Sequence, residues 1–209
     1  MQFPIITACI IGLNVLMFLL ELTEGKAFIV RWSMIPAKIV SGQDYVTVLT
    51  AMFMHASILH IAGNMVYLWA FGPEIEDVMG RIRYLLFYLS GGLAAFLAQL
   101  AAIPSSAIPN LGASGAIAAV MGAFLITFPH DRIRTIVFIG WFVTISFIPA
   151  IFLIGFWFFI QLLSEVGAIV QRQSGGVAYM AHVGGLVFGV LLSRLFEPRR
   201  RRASRGFKG

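Results

Sequence analysis

Charge is what this sequence has least of. Only 11% of its 209 residues are Asp, Glu, Lys or Arg, against 59% apolar, where soluble domains sit near a quarter charged and half apolar. A soluble core of this size cannot hide so much apolar surface, so soluble-enzyme and nucleic-acid-binding classes fall away first. A lipid-embedded bundle can carry it, because its outer face is apolar too. Cysteine is equally scarce. The single Cys9 rules out an intrachain disulfide and any cysteine-based metal cluster, and its place in an apolar run reads as packing. Repeats, low-complexity tracts and a second domain are all missing. The formal charge of +6 does not argue for a nucleic-acid partner, since most of it lies from Arg194 onward.

What is present is a succession of apolar segments, at 5–20, 57–71, 84–103, 114–128, 136–163 and 178–196. No Lys or Arg precedes the first, and no small-residue cleavage site follows it. It is therefore expected to be a retained span and not a signal peptide. The fifth is long enough to cross with tilt, with Pro149 as a kink. The second and fourth are short. The expectation is an all-α fold, a polytopic bundle of six transmembrane helices over 1–198, followed by a basic tail at 199–209. Loop charge gives its orientation. Arg81, Arg83, Arg132, Arg134 and the seven basic residues from Arg194 onward lie on one side; Lys26, Arg31, Lys38 and Arg172 lie on the other. The richer side is expected to be cytoplasmic, with both termini there, in the plasma or inner membrane. The segment 21–56 becomes a long outer loop, lying partly in the outer leaflet or simply exposed.

Polar residues then converge. Running inward, the second segment carries His60 and Asn64, the fourth opens with Gly112-Ala113-Ser114-Gly115, and the sixth carries His182. Ionisable residues inside spans are costly and point to function. A lone intramembrane Ser is commonly a packing residue, but chance would scatter such residues over both leaflets. From 114 to 128 a helix covers roughly 22 Å, less than the roughly 30 Å of hydrocarbon. Ser114 is therefore expected below the outer surface, in a wet pocket reached by a dipping loop. A serine hydroxyl needs a base, and His182 can serve. Ser114 begins a helix, whose unpaired N–H groups favour developing negative charge. His60 and Asn64, four apart, share a helix face and can both donate to an oxyanion. Gly112 and Gly115 leave room around the nucleophile, and Gly185 and Gly189 permit close helix approach. No acidic residue in the sixth segment can orient His182, so a dyad is expected.

These residues resemble the motifs of the rhomboid intramembrane proteases. Gly112-Ala113-Ser114-Gly115 resembles the family's nucleophile motif, and Ala181-His182-Val183-Gly184-Gly185 with Gly189 its histidine motif. His60-Ile61-Ala62-Gly63-Asn64 resembles its His-x-x-x-Asn element, with His55 five residues earlier, and Glu76 matches a structural glutamate. The likeness covers about 5–195. It implies cofactor-free, metal-free cleavage of other proteins' transmembrane segments near their outer ends. In it Ser114 and His182 form the dyad, while His60, Asn64 and the Ser114 N–H stabilise the oxyanion. Two positions depart from the family pattern. Tyr45-Val46-Thr47 stands where a Trp-Arg pair is common, and Ala118 where some members place a tyrosine against the base. Partners implied are transmembrane substrates and the bilayer, with anionic lipids at the tail at about 1 kcal/mol per basic residue. The competing readings are a non-catalytic rhomboid-like escort factor, whose type commonly lacks the serine or histidine, and a channel. A channel would need polar residues continuing inward below Ser114 and His182, where the sequence is apolar.

Overall fold

A computed structural model describes residues 3–170 and 179–198, so the expected tail at 199–209 lies outside the described residues. The chain is a mostly helical, multi-pass membrane protein. Helix α1 (Ile5–Glu24) is followed by three short helices, α2 (Lys26–Trp32), α3 (Pro36–Val40) and α4 (Thr47–Thr50), and a 3₁₀ turn at Ala51–Phe53. The long helices α5 (Ile58–Met79) and α6 (Arg81–Ala102) precede the short α7 (Ser114–Thr127). A hairpin of β1 (Arg132–Ile139) and β2 (Phe142–Pro149) then leads into α8 (Ala150–Val170), and α9 (Tyr179–Phe196) closes the described fold.

Three of these helices, α1, α6 and α9, are long and apolar enough to cross a membrane. The run from Thr47 to Met79, bent by 89° between its two parts, makes a fourth if those parts form one span. By the same measure α7 and the first part of α8, Ala150–Ile160, are shorter apolar helices.

The fifth apolar segment is the main departure from expectation. It is not one tilted helix: its first part belongs to the hairpin, and the helix begins only at Ala150. The reason is local. Five of the eighteen residues from 132 to 149 are Ile, and with two Val and two Thr half of the run is β-branched; such side chains favour the pleated strand. Gly140, with φ +58°, supplies the Gly-x order of a two-residue type II′ turn. Pro149 stands at the strand-to-helix boundary, where the residue before a proline avoids helical angles, so it is no kink. The long first loop also differs. Glu21 lies inside α1 and is buried, and the segment folds into the short helices. Helix α5 continues through Pro73 to Met79, beyond the expected end. Cys9 is exposed on α1 and is not a core residue.

At the centre stands α7. Every residue from Gly115 to Phe124 is buried, as expected of a helix apolar all round. It packs against α5, α6 and α9. Helices α7 and α9 meet backbone to backbone. A β-carbon on Gly185 would collide with the Gly115 carbonyl oxygen, and one on Gly189 with that of Ala119. This is small-x-x-x-small packing, in which van der Waals contact drives association where lipid removes the hydrophobic incentive.

Two carboxylates clasp α1 to α5 and the turn before it. No side chain of α1's own caps its first turn. The Glu76 carboxylate of α5 accepts the Ile6 N–H at 2.9 Å, the Thr7 N–H at 2.8 Å and the Thr7 hydroxyl at 2.8 Å. These are orphan donors of a helix N-terminus, where negative charge is favoured. At the other end, Glu21 accepts the His55 N–H at 2.9 Å.

Candidate active site

The loop before α7 is pinned to the first long segment. Met34 and Asn110 exchange backbone hydrogen bonds at 2.9 and 2.7 Å, Ala37 donates to the Ser106 carbonyl at 3.0 Å, and Gly112 donates to the Ala51 carbonyl at 2.8 Å. Gly112 has φ +128°, a conformation that favours glycine, and a β-carbon there would come within 3.0 Å of the His60 ring. Ala113 offers no side-chain cap, so the first N–H groups of α7 have no intrahelical partner. Ser114 is the first residue of that helix.

His182 is delivered from the first turn of α9. Among the orphan donors of that turn, the Ala181 N–H reaches Gln99 Oε1 of α6 at 3.3 Å. The glycine contacts with α7 do the rest. The result is a distance of 2.7 Å between His182 Nε2 and Ser114 Oγ. His182 is buried, and its Nδ1 has no hydrogen-bond partner among the described residues. With Nε2 free to accept and Nδ1 carrying the proton, a serine proton could be taken at this distance.

Among the described residues no acidic side chain is hydrogen-bonded to the imidazole, and Ala118 supplies no ring. Trp157 of α8 does. Its ring stands edge-on to His182, centroids 4.9 Å apart at 63°, within the range of favourable aromatic pairs. Trp157 is itself buried and contacts Tyr67 of α5 at 6.0 Å between centroids. Sequence reasoning missed it because one aromatic in an apolar run carries no polar signal. Gln99 was missed too, although a lone amide in an apolar segment is a readable sign.

His60 and Asn64 project from α5 to the same place. The Ser57 hydroxyl caps this helix by accepting the His60 N–H at 3.1 Å. The Ala56 N–H donates to His60 Nδ1 at 3.4 Å, which leaves the proton on Nε2, the nitrogen facing Gly112. Asn64 is buried, and its Nδ2 has no partner among the described residues. Behind His60 lies His55, rings edge-to-face at 5.1 Å. Ser114, His60, Asn64 and Trp157 line one cavity of about 290 Å³. Leu59 and Gly63 of α5 and Phe156 and Ile160 of α8 form its sides, so it lies between those two helices. Of the four glycines, Gly112 adjoins this site at the His60 ring, Gly115 faces the Ala95 methyl of α6, and Gly185 and Gly189 lie in the contact of α9 with α7.

A family model described as the rhomboid domain matches residues 42–199. Among curated proteins, the chain is similar to rhomboid protein 1, mitochondrial, of Saccharomyces cerevisiae. The two are 29% identical over 207 residues, covering 92% of this chain and 55% of that protein. It is similar to rhomboid protease GluP of Bacillus subtilis, 30% identical over 190 residues, covering 89% and 34%. It is also similar to the presenilin-associated rhomboid-like protein, mitochondrial, of Homo sapiens, 29% identical over 151 residues, covering 68% and 35%. The chain spans from about a third to about half the length of these relatives.

Proposed function

The chain belongs to the rhomboid family, and from that premise we propose that it is an intramembrane serine endopeptidase that cuts transmembrane segments of other proteins near their outer ends. The observation that carries this reading is the 2.7 Å approach of His182 Nε2 to Ser114 Oγ, at a cavity between α5 and α8 that Ser114 helps to line.

In the proposed reaction, His182 Nε2 takes the Ser114 proton as Oγ attacks the scissile carbonyl carbon. The carbonyl oxygen becomes an oxyanion. The Ser114 N–H, His60 Nε2–H and Asn64 Nδ2–H₂ are aimed at it, fixed donors of the kind that contribute most to such reactions. Collapse breaks the C–N bond, and the imidazolium gives its proton to the leaving amine. Water, deprotonated by the same imidazole, then releases the acyl group from Ser114. Trp157 acts as a positioning residue that limits rotation of the base. No cofactor takes part in this scheme.

The substrate must present an extended stretch, because a helix shields its carbonyls through its own hydrogen bonds. Gly and Pro weaken helices, so segments with helix breakers near the outer end are favoured. A small acyl-side residue such as Ala suits a nucleophile set between Gly112, Ala113 and Gly115.

The reading extends to topology: six spans over 1–198, both termini cytoplasmic, in the plasma or inner membrane, with the tail at 199–209 meeting anionic lipids. The positive-residue count supports it. The two relatives named as mitochondrial make an organellar inner membrane the alternative.

The decisive experiment is labelling of the folded protein with a fluorophosphonate probe. Labelling that Ser114→Ala and His182→Ala each abolish, together with cleavage of a model transmembrane substrate, is the expected result. A folded parent that neither labels nor cleaves would favour a non-catalytic binding role; full cleavage by folded Ser114→Ala would end the protease reading.

A further inference from the structure

The hairpin β1–β2 takes no part in the proposed chemistry. It leaves the end of α7 remote from Ser114, and the Ala150 N–H to Asp131 carbonyl bond of 3.0 Å closes its base. Its two faces differ in chemistry. The register sets Thr135 opposite Ser146 and Val137 opposite Thr144, so one face carries three hydroxyls at its middle, with the exposed Phe142 beside the turn and Ile133 and Ile148 at the base. The other pairs Ile136 with Ile145 and Arg134 with Phe147 and carries no hydroxyl among its described side chains.

That second face is bare. Ile136, Val143, Ile145 and Phe147 are exposed, and Trp141 at the turn is 99% exposed. An uncovered apolar face of this kind marks a contact surface. It is continuous with the start of α8, because Phe147 lies three residues from that apolar helix, where Ile151 and Phe152 are also exposed. Depth is limited by the backbone. The outer edges of a two-stranded ribbon keep free N–H and C=O groups, which the hydrocarbon core does not tolerate. The interface does tolerate them, because headgroups and water reach those edges. Tryptophan favours that level. Arg132 and Arg134 are exposed at the base, on the same side as Phe147 and Ile145, where phosphates would meet them.

We propose that this hairpin is an interfacial paddle, lying on the leaflet opposite Ser114. Its Ile136–Ile145 face rests against acyl chains, and Arg132 and Arg134 contact the phosphates of anionic phospholipids. The hydroxyl face looks to water. The inference stands apart from the protease reading, since it needs only that the chain is embedded in a membrane.

The test uses the full chain with Cys9→Ser, spin-labelled at Ile145→Cys or Thr144→Cys, with Val143→Cys as a second probe of the apolar face. Each variant is placed one copy per nanodisc, in phosphatidylcholine with or without phosphatidylglycerol. At 145 and 143 the nitroxide should meet oxygen in preference to a water-soluble nickel chelate, at a depth of about 5–10 Å below the phosphates. At 144 the preference should reverse. Adding phosphatidylglycerol should deepen the 145 label, and Arg132→Gln with Arg134→Gln should remove that dependence. Equal chelate access at 143, 144 and 145 would overturn the proposal. So would shielding that appears only when many copies share a vesicle, with dipolar broadening, since that would give the face to a second copy. Lipid-charge dependence that survives the double Arg change would overturn the headgroup contact.

Discussion

Gly185→Ala tests whether the helix contact sets the distance across the proposed dyad. The added methyl would point straight at the Gly115 carbonyl oxygen, with the Gly115 carbon at 3.0 Å and the Ala118 β-carbon at 3.2 Å. A helical carbonyl cannot swing aside, so α7 and α9 must part by roughly 1 Å to restore ordinary contact. His182 sits one turn from Gly185 on α9, and Ser114 adjoins Gly115 on α7. A separation of 2.7 Å, lengthened by about 1 Å, passes out of hydrogen-bond range. Misplacement on that scale costs on the order of 100-fold in rate. The fold should survive, because overpacking costs about 1–3 kcal/mol and the glycine-to-alanine gain in helix propensity, up to about 1 kcal/mol, offsets part of it. Gly155→Ala is the control, since a β-carbon there meets nothing within 4 Å. The assay is cleavage of a transmembrane substrate in liposomes per folded molecule, alongside thermal unfolding. If Gly185→Ala matches Gly155→Ala in turnover, close glycine packing does not place the base, and the argument fails.

Four further outcomes are expected. His60→Ala should lower turnover by roughly 100- to 1000-fold and Asn64→Ala by less, because water can stand in for the amide; unchanged turnover with lowered stability would make both residues structural. Trp157→Ala should slow both fluorophosphonate labelling and substrate cleavage, with Trp157→Phe restoring most of each. Loss of cleavage alone would mean that Trp157 acts only as a cavity wall and not on the base. Glu76→Gln should destabilise the protein by about 1–3 kcal/mol, read in thermal unfolding, and an unshifted transition would show that the clasp on α1 is dispensable. Replacing helix breakers in a substrate by Leu, or its acyl-side Ala by Phe, should slow cleavage in one and the same bilayer; equal rates would show that neither unwinding nor cavity size selects substrates.

The proposed site was legible because its residues break a pattern. Ser114, His182, His60 and Asn64 are polar groups in apolar segments, and the physics of lipid makes each conspicuous. The short α7 was legible for the same reason, being bounded by Gly112 and Pro129. The hairpin was hidden by that same rule. In an apolar run the alternation of Thr135, Thr144 and Ser146 with Ile and Phe is faint, and hydropathy alone cannot separate a span from a β-ribbon. Charge misled at Glu21, which ended the first segment on paper but is buried against the His55 N–H. Trp157 could not be found from sequence, because its role depends on where α8 crosses α9.

The carboxylate of Glu76 grips peptide N–H groups of Ile6 and Thr7 and makes no use of a chain-terminal amine. It is therefore blind to whatever is joined ahead of Ile5. A reporter, an affinity handle or a whole additional module fused there should leave this junction intact, provided that α1 can still begin its first turn at the same place.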